Sequence, residues 1–275
     1  MAEERTLVSF DWAIKYLLKN KADYVILEGF LTTLLGKKIK IQSLNDSGGT
    51  KETAKDKSNC VDVLAVEEDG SLIIVELQFA SELDYFHRML YGSSKGITDH
   101  IKEGMPYSEV KKVYSVNIVY FDLGVGKDYI YHGTTAFRGL HSKDELELSL
   151  LQKEKFLKSD ISEIFPEYYI LKIDLFRNVV KDKLDEWMYY LKNTEIKPDF
   201  DAPGLKEATH RLWYSQLSKA ERDSYDWHVH VRRSNKSSFD TARLEGKVEL
   251  RDEVLSLIAQ GYSLEQIEER LKSQA

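Results

Sequence analysis

The sequence predicts an α/β fold: a mixed sheet flanked by helices, followed by a helical C-terminal appendage. Three observations predict it. Residues 61–79 have the pattern of a two-stranded hairpin, amphipathic helical patterns occur on either side of it, and residues 113–121 form a further β-rich segment. Such alternation is typical of a sheet whose faces are covered by helices. With 275 residues, 42% of them hydrophobic, the chain is long enough to bury a complete core.

Composition narrows the class of protein. A single cysteine, Cys60, excludes an internal disulfide framework, and no apolar run approaches the roughly 20 residues of a membrane span. The N-terminus does not resemble a signal peptide, so we expect a cytoplasmic location. The formal net charge of −7 gives no overall attraction for nucleic acid, so any such binding would depend on local basic clusters.

The first helix is expected at residues 22–35. Apolar residues recur there at steps of three and four, at Tyr24, Leu27, Leu31 and Leu34, and Gly36 follows as a C-terminal cap. Glu28 lies at the edge of this stripe. Residues 37–44 are expected to form a strand, and 45–58 a polar loop.

The hairpin carries the most informative pattern. Its strands are rich in β-branched residues, and Asp69-Gly70 is a strong turn signal. A loop from Glu67 to Ser71 would place Val66 opposite Leu72 and Leu64 opposite Ile74. The same register puts Asp62 directly opposite Glu76, with Gln78 on the same face.

Two carboxylates directly opposite each other repel, so within an apolar hairpin they need a cation or a raised pKa. Hard oxygen ligands suit Mg²⁺ or Mn²⁺, which bind one or two carboxylates and complete their shell with water and phosphate. The alternative is a pair of solvated acids on an exposed sheet face.

The rest of the chain predicts further helices and strands. A long helix is marked by Leu83, Phe86, Leu90, Ile97 and Ile101. Later segments are expected to be helical at 145–159, extended at 168–175, and helical at 184–192 and 205–217. The proline-containing stretch 193–204 predicts a boundary near residue 200, dividing the chain into domains 1–200 and 201–275.

The C-terminal region has two notable stretches. Asp226 to Ser238 contains His228 and His230 and is expected to be a strand or loop that contacts phosphate, with zinc binding as the weaker alternative. Residues 244–271 predict helices broken at Gly261, with Ser263 as an N-cap, which could mediate contact in a homodimer.

Asp62, followed after fourteen residues by Glu76-Leu77-Gln78, resembles the PD-(D/E)XK nuclease motif, with Gln78 where lysine is usual and without the proline. More specifically, the chain is similar to the recombination-promoting nuclease and putative transposase family. The resemblance includes the segments Phe10–Lys15, Arg88–Lys95, Glu103–Tyr107, Phe165–Ile173 and Leu184–Lys192. It implies a restriction-endonuclease-like fold and a role associated with recombination or mobile elements.

The resemblance also implies a reaction and a site. Asp62, Glu76 and the carbonyl of Leu77 would bind Mg²⁺ or Mn²⁺ for hydrolysis of a DNA phosphodiester, and Gln78 would orient the attacking water. Glu28, on the first helix, is the residue expected to approach the metal from outside the hairpin.

Gln78 is neutral and cannot supply the positive charge of the usual lysine, so Lys57 or Lys95 are candidates to replace it. Arg88, Lys95 and Lys57 are the expected DNA contacts, the guanidinium being suited to phosphate oxygens. The alternative for Arg88 and Lys95 is an ion pair with an acid on the same helix.

Two other functions stay open at this point. One is a catalytically weak or inactive nuclease-like module that binds DNA or protein. The other is an assembly protein in which the charged C-terminal helices form the contacts.

Overall fold

A six-stranded mixed sheet forms the centre of the protein. The computed structural model describes residues 7–13, 24–45 and 62–274. The strands are β1 (Ile41–Asn45), β2 (Val63–Glu67), β3 (Leu72–Gln78), β4 (Val113–Val119), β5 (Ile130–Gly133) and β6 (Glu167–Lys172). Their order is β1-β2-β3-β4-β6-β5. The central pairs β3/β4 and β4/β6 are parallel and the outer pairs are antiparallel, so the predicted mixed sheet is confirmed.

Eight helices are described along with the sheet. They are α1 (Phe10–Trp12), α2 (Val25–Leu35), α3 (Tyr85–His100), α4 (Leu150–Phe156), α5 (Lys183–Asn193), α6 (Leu205–Arg211), α7 (Lys219–Ala259) and α8 (Leu264–Gln274). Gly36 ends α2 at a φ of 66°, the left-handed conformation expected of a C-terminal glycine. The expected loop at 45–58 lies almost entirely outside the described residues.

The hairpin has the predicted register. Val66 pairs with Leu72 and Leu64 pairs with Ile74, as the Asp-Gly turn and the alternating pattern predict. Gly70 has a φ of 82°, a conformation that glycine adopts without strain. Strand β3 is buried from Leu72 to Leu77, with a neighbouring strand on each side and α3 packed against it.

An aromatic cluster joins three of the helices. Phe10, Phe30, Trp187 and Tyr190 meet in edge-to-face contacts with centroid separations of 5.3 to 6.0 Å. The Tyr190 hydroxyl donates to the carbonyl oxygen of Val8 at 2.9 Å, which satisfies its buried polar atom. These contacts join α1, α2 and α5 into one layer.

Helix α3 packs on β3 and β4, but only part of the predicted apolar stripe takes part: Ile97 packs against the cluster of Leu72, Ile74 and Val113. Leu83, Phe86 and Leu90 are exposed. The buried positions are Tyr85, Met89, Gly92, Ser93 and Gly96. Small residues let the helix approach the sheet closely: a Cβ on Gly96 would lie 3.3 Å from Cδ1 of Ile74. The prediction was based on hydrophobic side chains. The buried face of α3 instead consists mainly of small residues, together with the ring of Tyr85.

The chain divides into two compact units, residues 1–222 and 223–275. The expected linker at 193–204 lies within the first unit, where the carbonyl oxygen of Pro203 would be 2.4 Å from a Cβ on Gly29. Helix α6 also belongs there, and its Leu205 and Ala208 are buried.

The expected strand or loop at Asp226–Ser238 is wrong, because these residues form part of the continuous helix α7. On a helix, residues two positions apart point in widely different directions, so His228 and His230 do not share a face. Gly261 and Ser263 do separate α7 from α8, and Ser263 and Gln266 form a reciprocal capping box. Within the described residues, none of the helices has the length and apolar character needed to cross a membrane.

Candidate metal centre

The two acids of the motif lie at the end of the β2–β3 hairpin. The paired ladder ends with Val63 opposite Val75, so Asp62 and Glu76 occupy the next position. Oδ2 of Asp62 accepts a hydrogen bond from the backbone N–H of Leu77 at 2.7 Å. Asp62 is thereby fixed beside the strand that carries Glu76.

Glu76 is a buried acid, with only 3% of its surface exposed. Burial raises the pKa of its carboxyl group; the Arg88 guanidinium offsets part of this effect, and the nearby carboxylates of Asp62 and Glu82 add to it. The hairpin therefore concentrates negative charge at a site that is largely removed from water.

Arg88 provides a positive charge for this acidic cluster. Its Nη2 forms an ion pair with Oε1 of Glu76. Its Nη1 lies 3.1 Å from Oε1 and 3.3 Å from Oε2 of Glu82. The guanidinium therefore bridges an acid on β3 and an acid just before α3.

The Glu76 contact is an ion pair between a partly exposed guanidinium and a buried carboxylate. Arg88 is the donor beside that buried oxygen, and its charge and hydrogen bond lower the pKa of Glu76 against the larger effect of burial. A buried carboxylate oxygen whose partner is a positive charge is suited to direct contact with a cation.

Gln78 contacts the same cluster. Its Nε2 donates to Oε1 of Glu82 at 2.7 Å and to the carbonyl oxygen of Ala80 at 3.1 Å. Glu82 thus accepts from both Gln78 and Arg88. Sequence reasoning missed Glu82, although an acid four residues after Gln78 and shortly before a helix was a readable signal.

A buried polar network lies on the strand next to Glu76 and on α3. Tyr85 is fully buried, and its hydroxyl donates to Oδ1 of Asn117 at 3.3 Å. Asn117 pairs with Glu76 in the parallel register and donates to Oγ of Ser115 at 3.0 Å. Burial, together with the charge of Glu76, raises the pKa of Tyr85 well above its ordinary value, so the phenol stays neutral. No local pattern indicates this network, because its members are far apart in the chain.

Glu28, the other expected metal ligand, lies elsewhere. Its Oε1 accepts from the backbone N–H of Ile41 at 2.9 Å and its Oε2 from Lys40 at 2.7 Å. Ile41 pairs with Glu67. That pair is at the far end of β2 from Asp62, roughly 16 Å along the strand at about 3.3 Å per residue. The structure therefore does not bring Glu28 together with Asp62 and Glu76.

The expected basic residues have different surroundings. Lys95 forms an ion pair with Asp99 one turn later on α3, at 2.5 Å. Lys57 lies outside the described residues. Lys172 was not predicted as a site residue; it lies in the same row as Gln78, two strands away. Its buried Nζ pairs with Asp122 at 2.7 Å.

The donor set fits a small divalent ion that retains water ligands. Within the described residues, no group of three or more His, Cys, Asp or Glu side chains is arranged to hold a metal. Mg²⁺ needs only one or two carboxylates with water and substrate oxygens. The N–H of Leu77 points to Asp62, and in a strand the N–H and C=O of one residue point the same way. The carbonyl of Leu77 therefore faces the side on which Asp62 lies.

A mixed sheet flanked by helices, with paired acids at the end of a hairpin, defines a restriction-endonuclease-like class of protein. The family model described as PD-(D/E)XK nuclease family transposase matches residues 8–242. The chain belongs to this family, and the resemblance read from the sequence is confirmed. No curated protein and no solved structure was found to match the chain. The family implies a nuclease that acts on nucleic acid, and nucleases of this class generally use divalent metals.

Proposed function

We propose that the protein is a metal-dependent DNA endonuclease that hydrolyses phosphodiester bonds, in a role associated with recombination or mobile elements. The observation that supports this best is the position of Asp62 and Glu76 at adjoining places of the hairpin, in a chain that belongs to a nuclease family. The ion is Mg²⁺ or Mn²⁺ because the donors are hard oxygen atoms.

Each residue has a distinct part in the proposed reaction. Asp62, Glu76 and the carbonyl of Leu77 hold the ion, and the N–H of Leu77 keeps Asp62 in position. The bound ion supplies Lewis-acid activation of water and stabilises charge on the phosphate. Gln78 orients the attacking water through its amide, while Glu82 holds that amide in place. Glu28 has no part in the proposal, since it is held by Lys40 and Ile41.

The proposed DNA contacts are on α3. Arg88 has a planar group of donors that fits phosphate oxygens, and its side chain is one-third exposed beside the acids. Lys95 lies about two turns further along the helix and would contact the backbone as a point charge. Both contacts are local, which accommodates the overall net charge of −7.

The test is cleavage of supercoiled plasmid with Mg²⁺, with Mn²⁺ or with EDTA. We expect nicking or cutting that requires metal and falls at least about 100-fold in Asp62→Asn and Glu76→Gln. The amide oxygen introduced by Asp62→Asn would still accept from the N–H of Leu77, so the loss would report on charge rather than on folding. Glu68→Gln, at an exposed acid in the hairpin turn, is the matched control and should cut normally. Activity that persists in EDTA or in both site variants would overturn the proposal.

One observation favours a second candidate, a nuclease-like module that binds DNA without cutting it. Arg88 already offsets part of the cost of burying the Glu76 charge, so a positive charge lies beside the acids without a metal. The same assay separates the two candidates when it is combined with DNA binding in EDTA. Binding without cleavage under any metal condition would support the second.

A further inference from the structure

The position of Arg88 has a consequence for metal binding. Its Nη2 is the charged partner of the buried Oε1 of Glu76. The guanidinium therefore occupies the place at which a cation would approach the buried acid. A metal ion and Arg88 cannot both make the closest contact with that one oxygen.

The second partner of Arg88 provides an alternative position. Glu82 contacts Nη1 through both carboxylate oxygens, at 3.1 and 3.3 Å. Glu82 is one-third exposed, whereas the Glu76 side chain is 5% exposed. Arg88 can therefore separate from Glu76 and stay paired with Glu82, so that it always has a negatively charged partner.

We propose that Arg88 is an internal counter-cation of Glu76 that a divalent ion must displace, and that Glu82 retains Arg88 once it is displaced. This rests on the proposed function, because it concerns the same metal centre. The displaced guanidinium edge then faces the site where the substrate phosphate binds. Metal binding and phosphate binding are thereby coupled through one side chain.

Arg88 and a metal ion compete as positive charges for the carboxylate of Glu76. Without metal, the guanidinium stabilises two neighbouring carboxylates, one of them buried, that otherwise repel each other. When a metal ion binds, that stabilisation is lost, and the ion lies close to the positively charged guanidinium of Arg88. Wild-type affinity for the metal is therefore lower than the carboxylates alone would give.

The test measures Mn²⁺ binding by isothermal titration calorimetry at pH 8, without DNA. Arg88→Gln should bind Mn²⁺ about tenfold tighter, since it removes one positive charge beside the ion. Lys102→Gln removes the same charge from an exposed position beyond α3 and should bind as the wild type does. Arg88→Gln combined with Asp62→Asn should lose binding, which assigns the gain to this site.

Two further variants keep the test decisive if Arg88→Gln folds poorly. Arg88→Lys keeps the charge and should restore affinity to near the wild-type value. Glu82→Gln still accepts from Gln78 but no longer draws Arg88 away from Glu76, so it should bind Mn²⁺ about fivefold more weakly. A gain in affinity for Glu82→Gln would contradict the proposal.

The outcomes separate this inference from the proposed function. If the wild type binds Mn²⁺ and cuts DNA, but Arg88→Gln binds no tighter, the inference about Arg88 fails and the nuclease proposal stands. If neither protein binds Mn²⁺, the metal centre is wrong and the inference fails with it. Tighter binding by Arg88→Gln together with an inactive wild type supports the inference and contradicts the nuclease.

Discussion

Leu77 donates its backbone N–H to the carboxylate of Asp62 at 2.7 Å. A residue on β3 therefore positions an acid that precedes β2, at the point where regular strand pairing ends. The second acid of the motif, Glu76, is the immediate neighbour of Leu77. The hairpin thus supplies both acids and the hydrogen bond that positions them.

Replacing Gln78 with lysine should increase metal-dependent cleavage by about tenfold, because a positive charge near the phosphate stabilises the transition state. Lysine at this position would reach Glu82, as the amide of Gln78 does now. The measurement is the cleavage rate at saturating Mg²⁺. Gln78→Met, of similar length and without a polar amide, should be slower than the wild type. Equal rates for all three proteins would show that this side chain does not act in the reaction.

Glu28→Gln should lower stability by about 1–3 kcal/mol, since Glu28 binds both the Ile41 amide and Lys40. The Mn²⁺ affinity should not change. Urea unfolding and calorimetric titration measure the two effects separately. Weaker metal binding with unchanged stability would instead assign Glu28 to the metal centre, as the sequence first indicated.

Gly29→Ala should destabilise the protein by about 2–4 kcal/mol, because its Cβ would lie 2.4 Å from the carbonyl oxygen of Pro203. Both atoms are held by the backbone and cannot easily move apart. Gly246→Ala is the control: it is within helix α7, and a Cβ there would meet nothing within 4 Å. That change should be neutral or stabilise helix α7 by up to about 1 kcal/mol. If both variants changed the melting temperature by a similar amount, the close contact between Gly29 and Pro203 would be contradicted.

Glu167→Gln should lower the free energy of unfolding at neutral pH by about 2–3 kcal/mol. Glu167 accepts from Lys112 at 2.8 Å, His132 at 3.0 Å and Tyr169 at 3.1 Å. Although burial opposes it, the hydrogen bonds from Lys112 and His132 lower the pKa of Glu167 below its ordinary 4.5.

A lowered pKa in the folded state sets the direction of the pH effect. The stabilisation by Glu167 is complete above pH 4.5 and is lost as the pH falls through the lower, folded-state pKa. Urea unfolding gives the free energy of unfolding of the wild type and of Glu167→Gln. The difference between the two values should narrow only below about pH 4.5. A difference in the free energy of unfolding that already narrows above about pH 5 would contradict this assignment to Glu167.

Local patterns determined much of the fold. The hairpin register followed from alternating residues and an Asp-Gly turn, and Gly36 and Gly261 ended helices as expected. These features depend on neighbours in the chain. The buried face of α3 could not be read in the same way, because Gly92, Ser93 and Gly96 pack by their small size and carry no hydrophobic signal.

By itself the sequence determined the family, the strand hairpin and the proximity of Asp62 to Glu76, since turn chemistry and strand periodicity act over a few residues. Only the tertiary structure decided that Arg88 bridges Glu76 and Glu82, that Asn117 and Tyr85 lie behind the site, and that Glu28 is held at the other end of β2. Those contacts depend on how α2 and α3 pack on the sheet. Packing is determined by the shapes of surfaces distant in sequence, which no local pattern specifies.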